Sequence, residues 1–217
     1  MARRLQVQSG KRTAWKALGV AAGATLTSAG TVQASIIYNN VNQTLINPGT
    51  INTDLNRDNV LDGALVLTET VCNPSCGGNN LARNLGWNPL NNSALLANNN
   101  QVNPLNFNDL IGPGGNFLSN NFNLANRVGD VASGPLAQGG KAYLGLLFDI
   151  PGSSPHFAWL RVAVDPATFS LTFLDYGFET QANAGIRAGE VPEPASLGLL
   201  AVGALGILAM RKRRSKS

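Results

Sequence analysis

Short apolar runs separated by glycine, proline and asparagine fill the chain between Ser35 and Pro194. No stretch there keeps the apolar period of a helix over several turns, whereas short runs bounded by turn-forming residues are typical of β-strands. This pattern predicts a mostly β protein. The length of 217 residues suits one domain, or two small ones at most.

Six segments carry the predicted strands: 35–38, 43–46, 63–71, 141–150, 156–164 and 169–176. The last three are separated only by turn-forming segments at 151–155 and 165–168, which predicts an antiparallel meander. In the last strand Phe169, Leu171 and Phe173 share one face, which we expect to be directed to a core. The predicted fold is a single β-sandwich domain of jelly-roll type over residues 35–188.

Residues 72–140 are rich in asparagine and glycine, with runs such as 98–100 and 112–115. Both residue types tolerate left-handed backbone conformations and favour turns. The segment is therefore predicted to be a long surface loop region, with one or two short helices near 81–85 or 93–98. A loop of this length within one domain is often functional.

The charges are unevenly distributed along the chain. Ten of the sixteen cations lie in the first sixteen or the last seven residues, whereas residues 35–194 hold six cations and all twelve acidic residues, a net charge of −6. Binding to nucleic acid requires clustered lysine or arginine on a folded surface. The acidic middle excludes a nucleic-acid-binding protein, despite the formal net charge of +4 for the whole chain.

The first 34 residues have the layout of a secretory signal peptide. A basic start is followed by thirteen small, mostly apolar residues at 17–29 and by Val32-Gln33-Ala34, a site for signal peptidase. An N-terminal membrane anchor is the alternative, but thirteen helical residues reach only about 20 Å, against a hydrocarbon core of about 30 Å. A twin-arginine signal at Arg3-Arg4 also stays open. We expect cleavage after Ala34.

Residues 195–210 carry no charge and are followed by Arg211-Lys212-Arg213-Arg214. This arrangement predicts a transmembrane helix with a basic tail, and lysine and arginine stay on the cytoplasmic side of a membrane. Everything before Ala195 would then lie on the outer side. A buried core helix is the alternative, but it gives no reason for the terminal basic cluster.

The triplet Pro192-Glu193-Pro194 stands directly ahead of this apolar segment. The triplet, a short Gly/Ala/Leu helix and an arginine-rich end together resemble the PEP-CTERM sorting signal of exported bacterial proteins, here over residues 189–217. The resemblance implies processing by an exosortase, a membrane transpeptidase whose substrate residues are Pro192, Glu193 and Pro194. It also implies release or attachment at the cell surface, often in bacteria that make exopolysaccharide. The predicted meander and the closing Ala188-Gly189 also resemble the terminal part of exported domains with the same tail.

A loop of acidic and amide residues precedes the third predicted strand. Asp54, Asn56, Asp58 and Asp62 stand at positions 1, 3, 5 and 9 of this loop, a spacing with which a turning backbone supplies oxygen ligands to calcium. A full EF-hand is excluded, because Asn59 and Leu65 stand where its glycine and closing glutamate are needed. A calcium-stapled turn and a metal-free turn held by Asx hydrogen bonds both stay open.

Cys72 and Cys76 flank the turn-forming residues 73–75. A disulfide is the leading interpretation for two such thiols in a chain exported to an oxidising compartment. Half of a metal site is the alternative, but the sequence offers no second pair of cysteines.

Patterns for catalysis are sparse. His156 is the only histidine and no Gly-x-Ser-x-Gly motif accompanies it, so we expect it at an edge or on the surface. Acidic residues near predicted strand ends could form a glycosidase pair, although such acids are also ordinary turn residues; they are Asp149, Asp165, Asp175 and Glu179. An aromatic platform for sugars could come from Trp87, Trp159, Tyr143 and Tyr176, although Trp159 also fits a core position.

These observations predict an exported, exosortase-sorted protein of the envelope or extracellular matrix, without enzymatic activity and with a structural or adhesive role. The alternative is a secreted carbohydrate-binding module, with or without calcium. The expected processing enzymes are signal peptidase and the exosortase, and exopolysaccharide is a candidate partner.

Overall fold

The structure, a computed structural model, describes residues 35–72 and 81–192. These residues form strands and connecting turns, and no helix occurs among them. The strands in chain order are β1 (Ile36–Leu45), β2 (Gly49–Thr53), β3 (Gly63–Val71), β4 (Leu81–Pro89), β5 (Ala94–Asn98), β6 (Gln101–Val102), β7 (Leu110–Ile111), β8 (Phe117–Leu118), β9 (Phe122–Val128), β10 (Val131–Ser133), β11 (Gly140–Phe148), β12 (His156–Asp165), β13 (Ser170–Glu179) and β14 (Ile186–Arg187). The prediction of a mostly β protein is confirmed.

The larger of the two main sheets, here called the large sheet, has the strand order β1-β13-β12-β11-β5-β6, and β8 also pairs with β5. Its centre is the predicted meander: β11 pairs with β12 from Gly140↔Val164 to Phe148↔His156, and β12 pairs with β13. All of these pairs are antiparallel. The turn-forming segments seen in the sequence therefore place the hairpins correctly.

The second main sheet, here called the small sheet, has the order β10-β9-β4-β3-β2. Consecutive strands β2, β3 and β4 pair directly, as do β9 and β10. Both sheets are thus built mainly from sequential hairpins. The predicted jelly-roll type differs from this order, because a jelly roll is made of Greek-key crossings between its sheets.

The two sheets share one hydrophobic core, which makes the domain a two-layer sandwich. Leu65 and Trp87 come from the small sheet, and Leu144 and Leu160 come from the large sheet. The predicted inward face of β13 is confirmed, since Leu171 and Phe173 are buried in this core. Trp87 fits because residue 63 is glycine: a Cβ at that position would lie 2.1 Å from Cζ2 of the indole.

A second cluster covers the outer face of the large sheet. Phe157 and Trp159 alternate along β12 with Ala158 and Leu160, which face the shared core. The second cluster is completed by residues from two further segments, namely Leu105, Ile111, Ile186 and Ala188. Both faces of β12 are therefore buried, which explains why this strand reads as an almost continuous apolar run.

The prediction of a loop region over residues 72–140 is wrong where the structure describes it. Strands β4 to β10 lie there, and β4 and β5 occupy the two segments predicted as short helices. Asparagines at 91, 92, 99, 100 and 108 adopt positive φ between 47° and 74°. Asparagine tolerates this backbone region, so it closes tight turns between short strands without needing glycine.

The first two predicted strands are also corrected. Segments 35–38 and 43–46 belong to one strand, β1, whose register with β13 shifts between Asn40 and Gln43. Asn42 lies inside this irregularity with a φ of 56°. A bulge inserts an extra residue into a strand and interrupts its alternation, which is why the sequence pattern appeared to break. Strand β2 was not predicted.

Candidate functional site

The chain segment that leads to the sorting triplet is fixed on the outer face of the large sheet. We call residues 186–190 the exit segment. Its strand β14 pairs with β7, and Ile186 and Ala188 are buried in the second cluster. The indole Nε1 of Trp159 donates a hydrogen bond to the carbonyl oxygen of Glu190 at 3.1 Å. The fold therefore holds the chain up to Glu190.

Trp159 is the centre of this attachment. Its ring meets the Tyr143 ring edge-on at a centroid distance of 5.6 Å and the Tyr38 ring at 6.0 Å. Gly177 is its cross-strand neighbour on β13, and a Cβ at that position would lie 2.8 Å from the indole. The glycine leaves the space in which the indole lies flat against the sheet.

The sorting triplet begins two residues after the exit segment. Val191 and Pro192 are exposed, and Glu193 and Pro194 lie outside the described residues. The predicted signal peptide at 1–34, the transmembrane helix at 195–210 and the basic tail lie outside them as well. Within residues 35–72 and 81–192, no helix is both long and apolar enough to span a bilayer.

The acidic loop before β3 is held by hydrogen bonds of the Asx type. Both carboxylate oxygens of Asp54 accept from backbone amides, those of Asp58 and Asn59, at 3.2 and 2.9 Å. Asn56 Oδ1 accepts the same Asp58 amide, Asp58 Oδ1 accepts a further backbone amide, and the two side chains contact each other. Arg57 and Asn59 adopt positive φ, which turns the chain between these oxygens. Three of the four predicted ligands, Asp54, Asn56 and Asp58, thus share one hydrogen-bonded turn.

No group of three or more His, Cys, Asp or Glu side chains in the described part of the chain has a metal-binding arrangement. In the loop, Asp62 is buried and its Oδ2 accepts from the backbone amide of Leu55 at 2.7 Å. Asp62 is therefore shielded from solvent, whereas Asp58 in the same loop is exposed. The calcium assignment stays a prediction.

Burial changes the titration of Asp62. Desolvation by burial raises the pKa of its carboxyl from 3.8 to about 6, and the nearby charges of Asp54 and Asp58 act in the same direction. The hydrogen bond from Leu55 opposes the rise. The folded protein consequently binds a proton here at a pH where the unfolded chain has released it.

We expect the free energy of unfolding to fall as the pH rises from about 4 to about 6, by up to about 3 kcal/mol, because each unit of pKa shift corresponds to about 1.4 kcal/mol. The stabilisation is fully present below the unfolded pKa and is lost as the pH passes the folded pKa. Urea unfolding at a series of pH values measures it. Asp62→Asn keeps an acceptor for Leu55 but cannot titrate, so it should flatten the slope. Equal slopes in both proteins would contradict this explanation.

The residues considered for catalysis are each bound into the fold. His156 is buried at the start of β12, which corrects the expectation of a surface histidine. One ring nitrogen contacts Ser153 Oγ at 3.1 Å and the other contacts the Glu179 carbonyl oxygen at 2.9 Å. Asp165 Oδ1 accepts a backbone amide within its own turn. The Glu179 carboxylate accepts the backbone amides of Ser35 and Gln181.

The remaining two acids also contact protein groups. Asp175 binds the guanidinium of Arg161 through both carboxylate oxygens, and its Oδ2 accepts the hydroxyl of Tyr38 at 3.0 Å. Asp149 directly follows β11, and its Oδ2 is 3.5 Å from the Asn92 side-chain nitrogen. Each of the four acids thus contacts a different group of the fold.

The predicted aromatic platform is not assembled. Trp87 is buried in the shared core, whereas Trp159 and Tyr143 belong to the second cluster on the opposite side of the large sheet. Tyr176 is buried in the shared core and stacks on Phe173. The sequence alone does not show on which face of a sheet each aromatic ring lies, because that face depends on the pairing register of its strand.

A groove on the outer face of the small sheet was missed in the sequence. It has a volume of about 220 Å³ and lies across β3, β4 and β9. Its polar lining consists of Thr68, Asn84, Asn88, Asn121 and Asn123. None of these side chains forms a hydrogen bond with another described residue. Gly86 forms part of the floor, where a Cβ would come within 3.0 Å of the Phe122 carbonyl oxygen.

The predicted disulfide falls partly outside the structure. Cys72 directly follows β3, and Cys76 lies outside the described residues. The pairing of these two cysteines stays a prediction.

Residues 190–214 match the PEP-CTERM protein-sorting motif. The sequence-based recognition of this motif is confirmed, and the motif is consistent with an exosortase substrate. Neither the curated proteins nor the solved structures contain a match to the chain. The motif implies export, transit while anchored in the membrane, and delivery to the cell surface.

Proposed function

We propose that this chain is a component of the cell envelope or extracellular matrix in which the β-sandwich has a structural or adhesive role. The observation that carries the proposal is the position of the sorting motif: it begins at residue 190, the residue whose carbonyl oxygen is bound by Trp159. The sorting signal is thus attached without a linker to a folded domain. An arrangement of this kind delivers the domain itself to the surface.

The proposed role is non-catalytic. It is supported by the hydrogen bonds that occupy both ring nitrogens of His156 and by the salt bridge of Asp175. These groups have partners within the fold and are therefore used for its stability. Signal peptidase and an exosortase act on the chain as processing enzymes in this proposal, with cleavage after Ala34 and at the sorting triplet.

Imaging of a tagged copy in the native host tests the proposed sorting. Replacing Pro192, Glu193 and Pro194 by alanine should retain the protein in the inner membrane, because the exosortase loses its recognition residues. Pro151→Ala changes an exposed proline in the turn between β11 and β12 and serves as the control. The control should reach the cell surface like the parent. Surface delivery of the triple variant would refute the proposal.

A second candidate function is binding of a neutral glycan, and the asparagine-lined groove favours it. Amide groups can both donate and accept hydrogen bonds, which matches sugar hydroxyls. The lining residues carry no charge, so the groove fits neutral sugars better than acidic ones. Pockets that enclose small ligands have volumes of about 300–1,000 Å³, so this smaller groove would contact one unit of a longer chain. Calcium could stiffen the turn before β3.

We expect Asn84→Ala combined with Asn123→Ala to weaken binding of a neutral polysaccharide about 10- to 30-fold, since each lost hydrogen bond contributes about 1 kcal/mol. Affinity electrophoresis in gels containing the polysaccharide measures the change. Asn98→Ala, at an exposed asparagine of the large sheet, is the matched control. Unchanged mobility of both variants would leave the structural role as the better account.

A further inference from the structure

The chain leaves the domain through an exposed apolar surface. We call Phe107, Leu110 and Val191 the exit patch, because the first two lie against the exit segment and Val191 directly follows it. Their exposed fractions are 70%, 65% and 49%. Isolated exposed apolar side chains are common, but a group of them at one place indicates a contact surface.

Contacts with the exit segment hold the patch in place. A side chain at position 189 would meet the Phe107 ring at 2.7 Å, and Leu110 is the cross-strand partner of Arg187. The backbone amide of Asn108 donates to the Ala188 carbonyl oxygen at 2.8 Å. The exit patch and the exit segment are therefore joined in one unit directly ahead of the sorting triplet.

The length of the chain beyond this point limits how far the domain can lie from a membrane. The apolar segment starts at Ala195, five residues after Glu190, the last residue that the fold holds. A fully extended chain advances about 3.3–3.6 Å per residue, so these residues span about 18 Å at most. The headgroup region of a bilayer takes up about 5–8 Å of this length, which keeps the domain surface around Glu190 within about 10–13 Å of the bilayer surface.

We propose that the exit patch rests on the lipid surface while the protein is anchored by its C-terminal segment. Phe107 and Leu110 enter the boundary between headgroups and acyl chains, where apolar side chains gain free energy. Arg187 is exposed beside them and its Nη1 binds the Asn108 carbonyl oxygen, which leaves further N–H donors for lipid phosphates. Asp109 and Glu190 lie nearby, and each accepts a backbone amide within the same structure. The inference rests on the proposed function, which supplies the membrane anchor.

Fluorescence quenching in vesicles tests this contact. The full-length chain is reconstituted into vesicles of phosphatidylcholine and phosphatidylglycerol with brominated acyl chains. The parent protein, treated in the same way, gives the emission of Trp15, Trp87 and Trp159, which is subtracted from that of each variant. Tryptophan is introduced by Phe107→Trp and, separately, by Leu110→Trp. Val131→Trp is the control, because Val131 is 71% exposed on the edge strand β10 of the small sheet. Quenching at positions 107 and 110 should exceed that at 131 roughly threefold, as expected for side chains inserted by 5–10 Å.

Flotation of the vesicles separates the two ways in which the inference can fail. If the chain floats with the vesicles and all three positions are quenched equally, the anchor is present and the contact of the exit patch is refuted. If the chain does not float, the anchor itself is refuted and the inference falls with it. Circular dichroism of each variant shows whether the sandwich is intact, and the second variant keeps the test decisive if Phe107→Trp disturbs the fold.

Discussion

Replacing Trp159 by alanine is expected to lower the free energy of unfolding of the domain by about 3–5 kcal/mol, the usual cost of removing a large buried aromatic side chain. The indole is 1% exposed and packs between Tyr38 and Tyr143. Its loss leaves a cavity between the large sheet and the exit segment. The hydrogen bond to the Glu190 carbonyl oxygen is lost at the same time.

Urea unfolding of residues 35–192 measures this effect. Trp159→Phe keeps an aromatic ring but has no N–H donor, so we expect a smaller loss, about 1–3 kcal/mol. Limited proteolysis should cut the exit segment faster in both variants, because both lack the bond to Glu190. A change below about 1 kcal/mol for the alanine variant would mean that Trp159 does not hold the exit segment.

Arg161→Ala is expected to cost a similar amount, about 3–5 kcal/mol, because it leaves a buried carboxylate without its cation. Asp175 is the cross-strand neighbour of Arg161, and its side chain is only 3% exposed. Tyr38 remains as a single donor to the carboxylate. One neutral donor does not replace a guanidinium that binds both oxygens.

The small sheet provides a matched control for this prediction. Arg83 and Glu69 are also cross-strand neighbours, with a nitrogen to oxygen distance of 2.7 Å, but both side chains are 26% exposed. The Glu69 carboxylate is reached by solvent whereas that of Asp175 is not, so Arg83→Ala should cost only about 0–1 kcal/mol for the lost ion pair. The double variant of Arg161→Ala with Asp175→Asn should recover part of the loss, because no unpaired charge stays buried. Equal costs for the two ion pairs would show that burial is not the cause.

The strands that the sequence placed correctly are those with strong apolar patterns and clear turns. Strands β11, β12 and β13 carry most of the large sheet, and the segments between them contain proline, glycine or aspartate. In such hairpins the apolar pattern of the strands and the turn-forming residues between them indicate the same structure. Both the strands and their pairing are therefore predictable. The inward face of β13 followed from the same alternation.

The strands of residues 81–133 were missed because half of their surface is polar. In β4, Asn84 and Asn88 alternate with buried Leu85 and Trp87, and asparagine is rare in strands. The groove could not be predicted for the same reason. It is formed by side chains from three strands, and their pairing register is not visible in a single sequence. The sorting motif was predictable because it is a local pattern that needs no fold.

The pairing of β1 with β13 has a consequence for the timing of export. Ser35 and Glu179 are joined by a hydrogen bond although they are 144 positions apart, and a contact of this range forms late because a long loop must close. A chain that crosses a membrane from its N-terminus exposes β1 early, and that strand stays without its neighbour until β13 has followed. In the proposed sorting, the apolar segment that starts at Ala195 stops transfer soon after β13, which ends at Glu179, has crossed. Completion of the large sheet and arrival of the sorting triplet at the bilayer coincide under that proposal.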